Sequence, residues 1–348
     1  MKPQDAVEDK TLTTALKELA SKYDVLLKRW KKEAHKLKQR YPWLHIHQAA
    51  RYLELLGEEQ TESFLSTRGK QLMKTIRVNT LKTTTASLRR RLEEKGFQLR
   101  PHPYIDYGLV IDHAPYSPGA SLEYLLGYYT IQGPASMLAV PALEPERAER
   151  IADMCAGAGV KTTQLAQHNP RAEIYAFDTN KRKLAALKNN LSRLGVANVA
   201  AYHVDARTAP SILGEEEAGA VLLDAPCSGE GLIPFQKGRW PRSFEDIMSR
   251  VKLQYQLAMT AARLLHPKGV LVYSTCTVSV EENEYLLTLL LETHPELKPE
   301  PPPIRGGIPG FTEYLGLPIE PSLREACRRF LPHIHATEGF TICRLRKT

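Results

Sequence analysis

The chain has 348 residues, room for about two domains at roughly 150 residues each and for a sizeable core. Charged residues are 25% and hydrophobic ones 43%, which excludes wholesale disorder, and no run approaches the roughly 18 apolar residues of a membrane span. Five cysteines, an odd number with no Cys-x-x-Cys pair, argue against a disulfide scaffold and against a structural zinc site. The expectation is a cytoplasmic protein with reduced, mostly buried thiols and no metal. Met1 to Lys10 is polar with mixed charge, unlike a secretory leader.

The net charge of +8 is unevenly spread. Residues 1–100 hold 22 basic and 12 acidic residues, and the rest hold 25 and 27. In chain order, Leu12, Leu16, Leu19, Tyr23, Leu26, Trp30, Ala34 and Leu37 recur every three or four positions, the period of an amphipathic helix. Its polar faces carry Lys22, Lys28, Arg29, Lys31, Lys32, Lys36, Lys38 and Arg40, either a solvated face or a phosphate-binding one. Pro42 ends it. A second helix is expected from His47 to about Leu56, with Gly57 as its stop. From Thr75 the pattern becomes a small α/β module: a strand at 76–81, a helix at Ser87–Lys95, and a strand at 109–111. Residues 113–135, rich in Gly, Pro, Ser and Tyr, read as a connector.

From Arg150 strands and helices alternate. Strands are expected at Ile151–Met154, Glu173–Phe177, Val199–His203, Ala220–Leu223 and Gly269–Ser274. Helices are expected at Lys161–His168, Lys181–Leu194, Phe244–Leu265 and Glu281–Thr293. This predicts a doubly wound, Rossmann-like α/β sheet with parallel strands. Residues 297–322 read as a long loop, and Gly339 to Leu345 as a last strand. The domain division expected is 1–72, 73–135 and 136–348.

The first strand of the alternation runs into Asp153-Met-Cys155-Ala156-Gly157-Ala158-Gly159-Val160-Lys161-Thr162, a glycine-rich turn that lets backbone approach a ligand. Asp178, Asp205 and Asp224 close the next three strands, so with Asp153 they form an acidic row. Asp178 is suited to ribose hydroxyls. The third glycine of a dinucleotide fingerprint is missing. With the acidic row, this favours S-adenosylmethionine over a nicotinamide cofactor.

Two strand ends each deliver a cysteine: Cys227 in Asp224-Ala-Pro-Cys-Ser-Gly229 and Cys276 in Tyr273-Ser-Thr-Cys-Thr277. Cytosine C5 is a poor nucleophile. A thiolate adding to C6 makes C5 enamine-like and able to attack a methyl sulfonium, and a second thiol can assist removal of the C5 proton. An acid or hydrogen-bond donor near N3 stabilises the adduct, and a carboxyl group such as Asp224 can provide it.

These motifs, with Ile76-Arg-Val-Asn-Thr-Leu-Lys82, Leu126-Gly-Tyr-Tyr-Thr-Ile-Gln132, Glu281-Glu-Asn-Glu284 and Thr337-Glu-Gly-Phe340, resemble the Sun/Nop-type family of RNA (cytosine-5) methyltransferases over nearly four-fifths of the chain. The resemblance implies a class I methyltransferase fold, S-adenosylmethionine as cofactor, and RNA as partner. It implies Cys276 as nucleophile, Cys227 as the cysteine of product release, Asp224 at the target base, and Lys161 between cofactor and base. It places Cys155 to Lys161, Asp178, Lys183, Asp205 and Asp224 in the cofactor pocket, and the module before the catalytic domain on RNA. Two positions depart from the family's Ala-Pro-Gly-Gly-Lys turn: Ala158 replaces Pro and Val160 replaces Gly. Lys183 stands where Arg is common. If Val160 needs positive φ, a β-branched side chain there weakens cofactor binding, and the chain then reads as an RNA-binding or assembly factor. The compact chain favours tRNA over rRNA.

Overall fold

A computed structural model describes residues 3–70, 72–235 and 243–348. The N-terminal stretch forms helices Pro3–Arg29, Lys31–Arg40 and Ile46–Leu65. The single helix expected over 12–40 is broken at Trp30, whose backbone leaves the helical region (φ −101°, ψ 14°). The predicted apolar stripe holds nonetheless: Leu12, Leu19, Tyr23, Leu26, Ala34 and Leu37 are buried, in one core with residues of the main sheet. Gly57 takes φ +74° and ψ 176°, non-helical backbone that interrupts Ile46–Leu65 at the expected stop and divides it into two helical segments across a kink.

A four-stranded sheet follows. Its strands are β1 (Lys74–Val78), β2 (Gln98–Pro101), β3 (Gly108–His113) and β4 (Tyr129–Ile131), in spatial order β2-β3-β1-β4 and all antiparallel. Helix Thr85–Glu93 packs on it through Leu88 and Leu92. β4 lies in the stretch expected to be a connector: Ile76, Arg77 and Val78 pair with Ile131, Thr130 and Tyr129. Its short, Gly-flanked run offered too little periodicity to read as a strand.

The main sheet starts with β5 (Arg150–Asp153), β6 (Glu173–Phe177), β7 (Val199–Tyr202), β8 (Ala218–Asp224) and β9 (Leu265–Thr275), all parallel. It continues with β10 (Leu297–Pro299), β11 (Ile308–Pro309), β12 (Cys327–Phe330) and β13 (Phe340–Lys347). The order is β11-β12-β13-β9-β8-β5-β6-β7, with β10 on β13. The sheet is therefore mixed: β13 runs antiparallel to β9. The expected loop 297–322 contributes β10 and β11. Helices Val160–His168, Lys181–Leu194 and Phe244–Leu264 make the crossovers. β6 and β8 flank β5 on opposite sides, so the chain reverses its winding at β5 and leaves a crevice at the carboxyl ends.

One cysteine expectation is corrected. Cys327 and Cys343 face each other across β12 and β13, with Cα atoms 4.1 Å apart, and form a disulfide. Strand register brings them together, which sixteen residues of separation do not reveal. Among the described residues, Cys155, Cys227 and Cys276 are free thiols, and no helix is long and apolar enough to cross a membrane.

Candidate active site

A cleft of about 860 Å³ opens at the carboxyl ends of β5, β6 and β8. Every residue expected at the site lines it except Gly159: Cys155, Ala156, Gly157, Ala158, Val160, Lys161, Asp178, Lys183, Asp205, Asp224, Cys227 and Cys276.

The turn after β5 forms because two glycines take left-handed backbone, Gly157 at φ +56° and Gly159 at φ +81°. Space as well as torsion demands Gly159, since a Cβ there would sit 2.9 Å from Leu187 Cγ. Gly159 caps helix Val160–His168, and Val160 is its first residue with negative φ. A β-branched side chain is thus accommodated where the usual glycine stands, which removes the ground for calling this turn degenerate. Asn190 Nδ2 donates to the Ala158 carbonyl at 2.9 Å, fixing the turn from the next helix.

The acidic row divides into different environments. Asp178 accepts from the Gly157 amide (2.9 Å) and the Asn180 amide (2.7 Å), so it braces the turn and still borders the cleft. Asp205 is engaged by Arg207, with Nη2 at 2.6 Å from Oδ2, and that pair holds the carboxyl below its usual range. Asp153 is buried and accepts from Thr162 Oγ1 at 2.6 Å. Burial, with Asp224 nearby, pushes it up to about 6. Among the described residues its Oδ1 has no hydrogen-bond partner. Asp224 is tied on both oxygens: Lys161 Nζ lies 2.7 Å from Oδ2, and Ser274 Oγ donates to Oδ1 at 2.8 Å. Lys161 also sits 5.1 Å above the Phe340 ring. Asp224 in this state is an acceptor, and Lys161 is the donor beside it.

The two cysteines meet. Cys227 Sγ and Cys276 Sγ are 3.2 Å apart, unbonded and half-buried. The hydrogen bond between them and burial push the Cys227 thiol well above its ordinary range. The supporting residues are ones that sequence reading missed as a group. Glu282 accepts from the Ser228 amide (2.8 Å) and Gln254 Nε2 (2.9 Å), and Gln254 also donates to the Pro226 carbonyl (3.0 Å). Ser228 and Thr277 hydroxyls are 2.8 Å apart, joining the loop after β8 to the loop after β9. The Gly231 amide donates to the Cys276 carbonyl at 3.0 Å. Gly231 in turn lies against Gly339, so close that a Cβ on Gly231 would be 2.1 Å from the Gly339 oxygen.

The small sheet closes one side of the cleft with Ile131, Gln132 and Gly133. Arg77 of β1 is fully buried there and donates to Gln132 Oε1 (2.7 Å), the Val160 carbonyl (2.6 Å) and Thr163 Oγ1 (2.9 Å). With no carboxylate against it, burial lowers this guanidinium to about 9. Sequence reading treated Arg77 only as part of a motif. Two of its three partners come from a helix that begins 83 residues on, which local pattern does not connect.

The family profile described as 16S rRNA methyltransferase RsmB/F matches residues 140–346, and that of the N-terminal domain of 16S rRNA methyltransferase RsmF matches 47–134. A human 28S rRNA (cytosine(4447)-C(5))-methyltransferase is 38% identical over 78% of this chain and 34% of its own length. Ribosomal RNA small subunit methyltransferase F of Citrobacter koseri is 37% identical over 82% of this chain and 60% of its own. The chain thus spans a third to three-fifths of the length of these curated relatives. Among solved structures, a methyltransferase homologue protein from Pyrococcus horikoshii is 36% identical, with TM-score 0.78, covering 86% of this chain and 94% of that one. NSun6 from the same organism, solved with SFG, is 27% identical, with TM-score 0.75, over 85% and 96%.

Proposed function

Because this chain belongs to the RsmB/F family of RNA methyltransferases, we propose that it methylates C5 of a cytosine in RNA, using S-adenosylmethionine. One observation carries the reading: the Cys227–Cys276 sulfur pair, 3.2 Å apart, lies in the same cleft as the glycine turn and Asp178. The cleft suits the cofactor. Gly157 has open space where a Cβ would project, and acids end β6 and β7. Asp178 and the 155–161 turn would hold its ribose and amino-acid portions, with Asp205 and Lys183 further along the wall. When bound, the cofactor supplies an electrophilic methyl group.

The chain's own residues do the rest. Cys276 adds through sulfur to C6 of the cytosine, forming an S–C6 bond and giving C5 enamine character. Lys161 donates toward the ring as negative charge develops, and Asp224 accepts from the exocyclic amine. After methyl transfer the Cys227 sulfur, acting as thiolate, takes the C5 proton, the C5–H electron pair restores the C5–C6 double bond, and the S–C6 bond breaks to return Cys276 as thiolate. Cys227 serves this release step beside it. Val160 at negative φ supports this over a non-catalytic RNA-binding role.

The substrate proposed is ribosomal RNA, because the curated relatives reported above carry rRNA names. This moves the expectation away from tRNA. The exposed Lys28, Lys31, Lys32 and Lys36 are read as non-specific phosphate contacts.

Incubation with labelled methyl donor and rRNA is expected to give 5-methylcytosine. Cys276→Ala is expected to abolish it. Cys227→Ala is expected to accumulate a covalent RNA–protein adduct through Cys276, visible on a denaturing gel. Normal turnover by Cys227→Ala would overturn the division of labour between the two thiols.

A further inference from the structure

Beneath the two cysteine loops lies a buried ionic cluster that no step above uses. Arg51, on helix Ile46–Leu65, reaches into the catalytic region and is itself 2% exposed. Its Nη1 donates to Glu230 Oε1 at 2.8 Å, its Nε to Glu281 Oε1 at 2.9 Å, and its Nη2 to Glu281 Oε2 at 3.0 Å. Glu230 follows Cys227 by three residues and Glu281 follows Cys276 by five. One guanidinium thus holds both loops. The hold is relayed in one covalent step: Gly231, next to Glu230, donates its amide to the Cys276 carbonyl. Tyr23 and Tyr314 hydroxyls donate to Glu281 Oε1 at 2.9 and 3.0 Å, and Ser279 Oγ donates to Oε2 at 2.8 Å.

The cluster is not an economical way to gain stability. Well-packed apolar residues of similar volume often do as well as a buried ion triad or better. Glu230 Oε2 has no hydrogen-bond partner among the described residues, so stability alone accounts poorly for two carboxylates on one cation. What the triad adds is direction, since a planar fork fixes two carboxylates relative to each other.

We infer that Arg51 is a positioning residue for the reaction: by gripping Glu230 and Glu281 together it sets the spacing of Cys227 and Cys276. The N-terminal helices are then part of the catalytic apparatus, although they contribute nothing that touches the reacting base. This inference rests on the two-cysteine reading above for its catalytic meaning, but its geometric content is independent of that reading.

The full chain carrying Arg51→Lys or Glu230→Gln tests it. Lysine keeps the charge and loses the fork, and Glu230→Gln keeps the Arg51–Glu281 pair and weakens the arm to the Cys227 loop. The first readout needs no catalysis. Diamide, an azo oxidant, takes two hydrogens from a neighbouring thiol pair and is itself reduced to the hydrazine. The Cys227–Cys276 cross-link it forms is quantified by peptide mass. Both variants are expected to cross-link about tenfold more slowly than the parent, at unchanged S-adenosylmethionine affinity and binding stoichiometry. The second readout is turnover. For Arg51→Lys, kcat is expected to fall about 100-fold with little change in the KM for cofactor. A merely structural role would instead lower binding stoichiometry and activity together. A parent that does not cross-link, or variants that cross-link within about twofold of its rate, overturn the inference. A parent that cross-links but makes no 5-methylcytosine removes the methyltransferase reading, and the cross-linking rates still decide the positioning role.

Discussion

Asp153 and Glu281 are both buried carboxylates, and they respond to acid in opposite directions. Asp153 is raised from 3.8 to about 6 by burial. Its ionisation costs stability above pH 6, and the cost disappears as pH falls from 6 toward 4. For Glu281 burial alone would raise the value, but Arg51 brings it from 4.5 down to about 2. Its contribution is complete above pH 4.5 and is lost as pH falls toward 2. Asp153→Asn is therefore expected to stabilise the protein at pH 7.5 by roughly 1–3 kcal/mol and to give no gain near pH 4. Chemical denaturation at the two pH values checks this. At this scale the sequence was most legible where residue type and strand end suffice. Asp178, Asp224, Cys227 and Cys276 could be read that way, because chemistry clusters at carboxyl ends of parallel strands. Arg51, Arg207, Gln254 and Glu282 could not, because each is defined by a partner two to 230 residues away.

The helices that begin the chain have two faces with separate jobs. Leu19 and Tyr23 are buried at 0% and 1% exposure, with Tyr23 stacked 3.7 Å from Phe244. Leu19→Ala is expected to destabilise the fold by about 3 kcal/mol in urea titration. Removing the whole segment would therefore confuse folding with RNA affinity. On the outer face, Arg29 and Arg40 are paired with Glu54 and Glu62 at 2.6 and 3.0 Å, while Lys28, Lys31, Lys32 and Lys36 are exposed. Changing those four lysines to glutamine is expected to lower RNA affinity and to flatten its dependence on log salt by about one unit or more, with melting unchanged. Periodicity located these helices because 3.6-residue spacing is local. It missed the break at Trp30 and the π-helical turn Glu281–Tyr285, since both interrupt a pattern without altering the apolar spacing.

The small sheet and the main sheet meet through side chains that also support the cleft. Arg77 binds the Val160 carbonyl, Asn79 donates to the Leu194 carbonyl at 2.9 Å, and Arg193 donates to the Tyr129 carbonyl at 3.0 Å. Any shift of the small sheet is transmitted to the first turn of the helix after the glycine loop. Arg77→Met is accordingly expected to weaken S-adenosylmethionine binding about tenfold by calorimetry, although Arg77 itself does not line the cleft. This architecture was only half visible beforehand. Alternating β and α segments announced the winding, but the docking of one sheet on another is written in pairs such as Arg77 with Thr163. The contact between Gly231 and Gly339 belongs to this scale as well. It stitches a loop from the middle of the chain to the start of β13, which lies between β9 and β12. A polypeptide emerging from its ribosome has both cysteines in hand more than sixty residues before it has Gly339. Synthesis thus imposes an order on the site: its two thiols exist early, and the scaffold that brackets them arrives late.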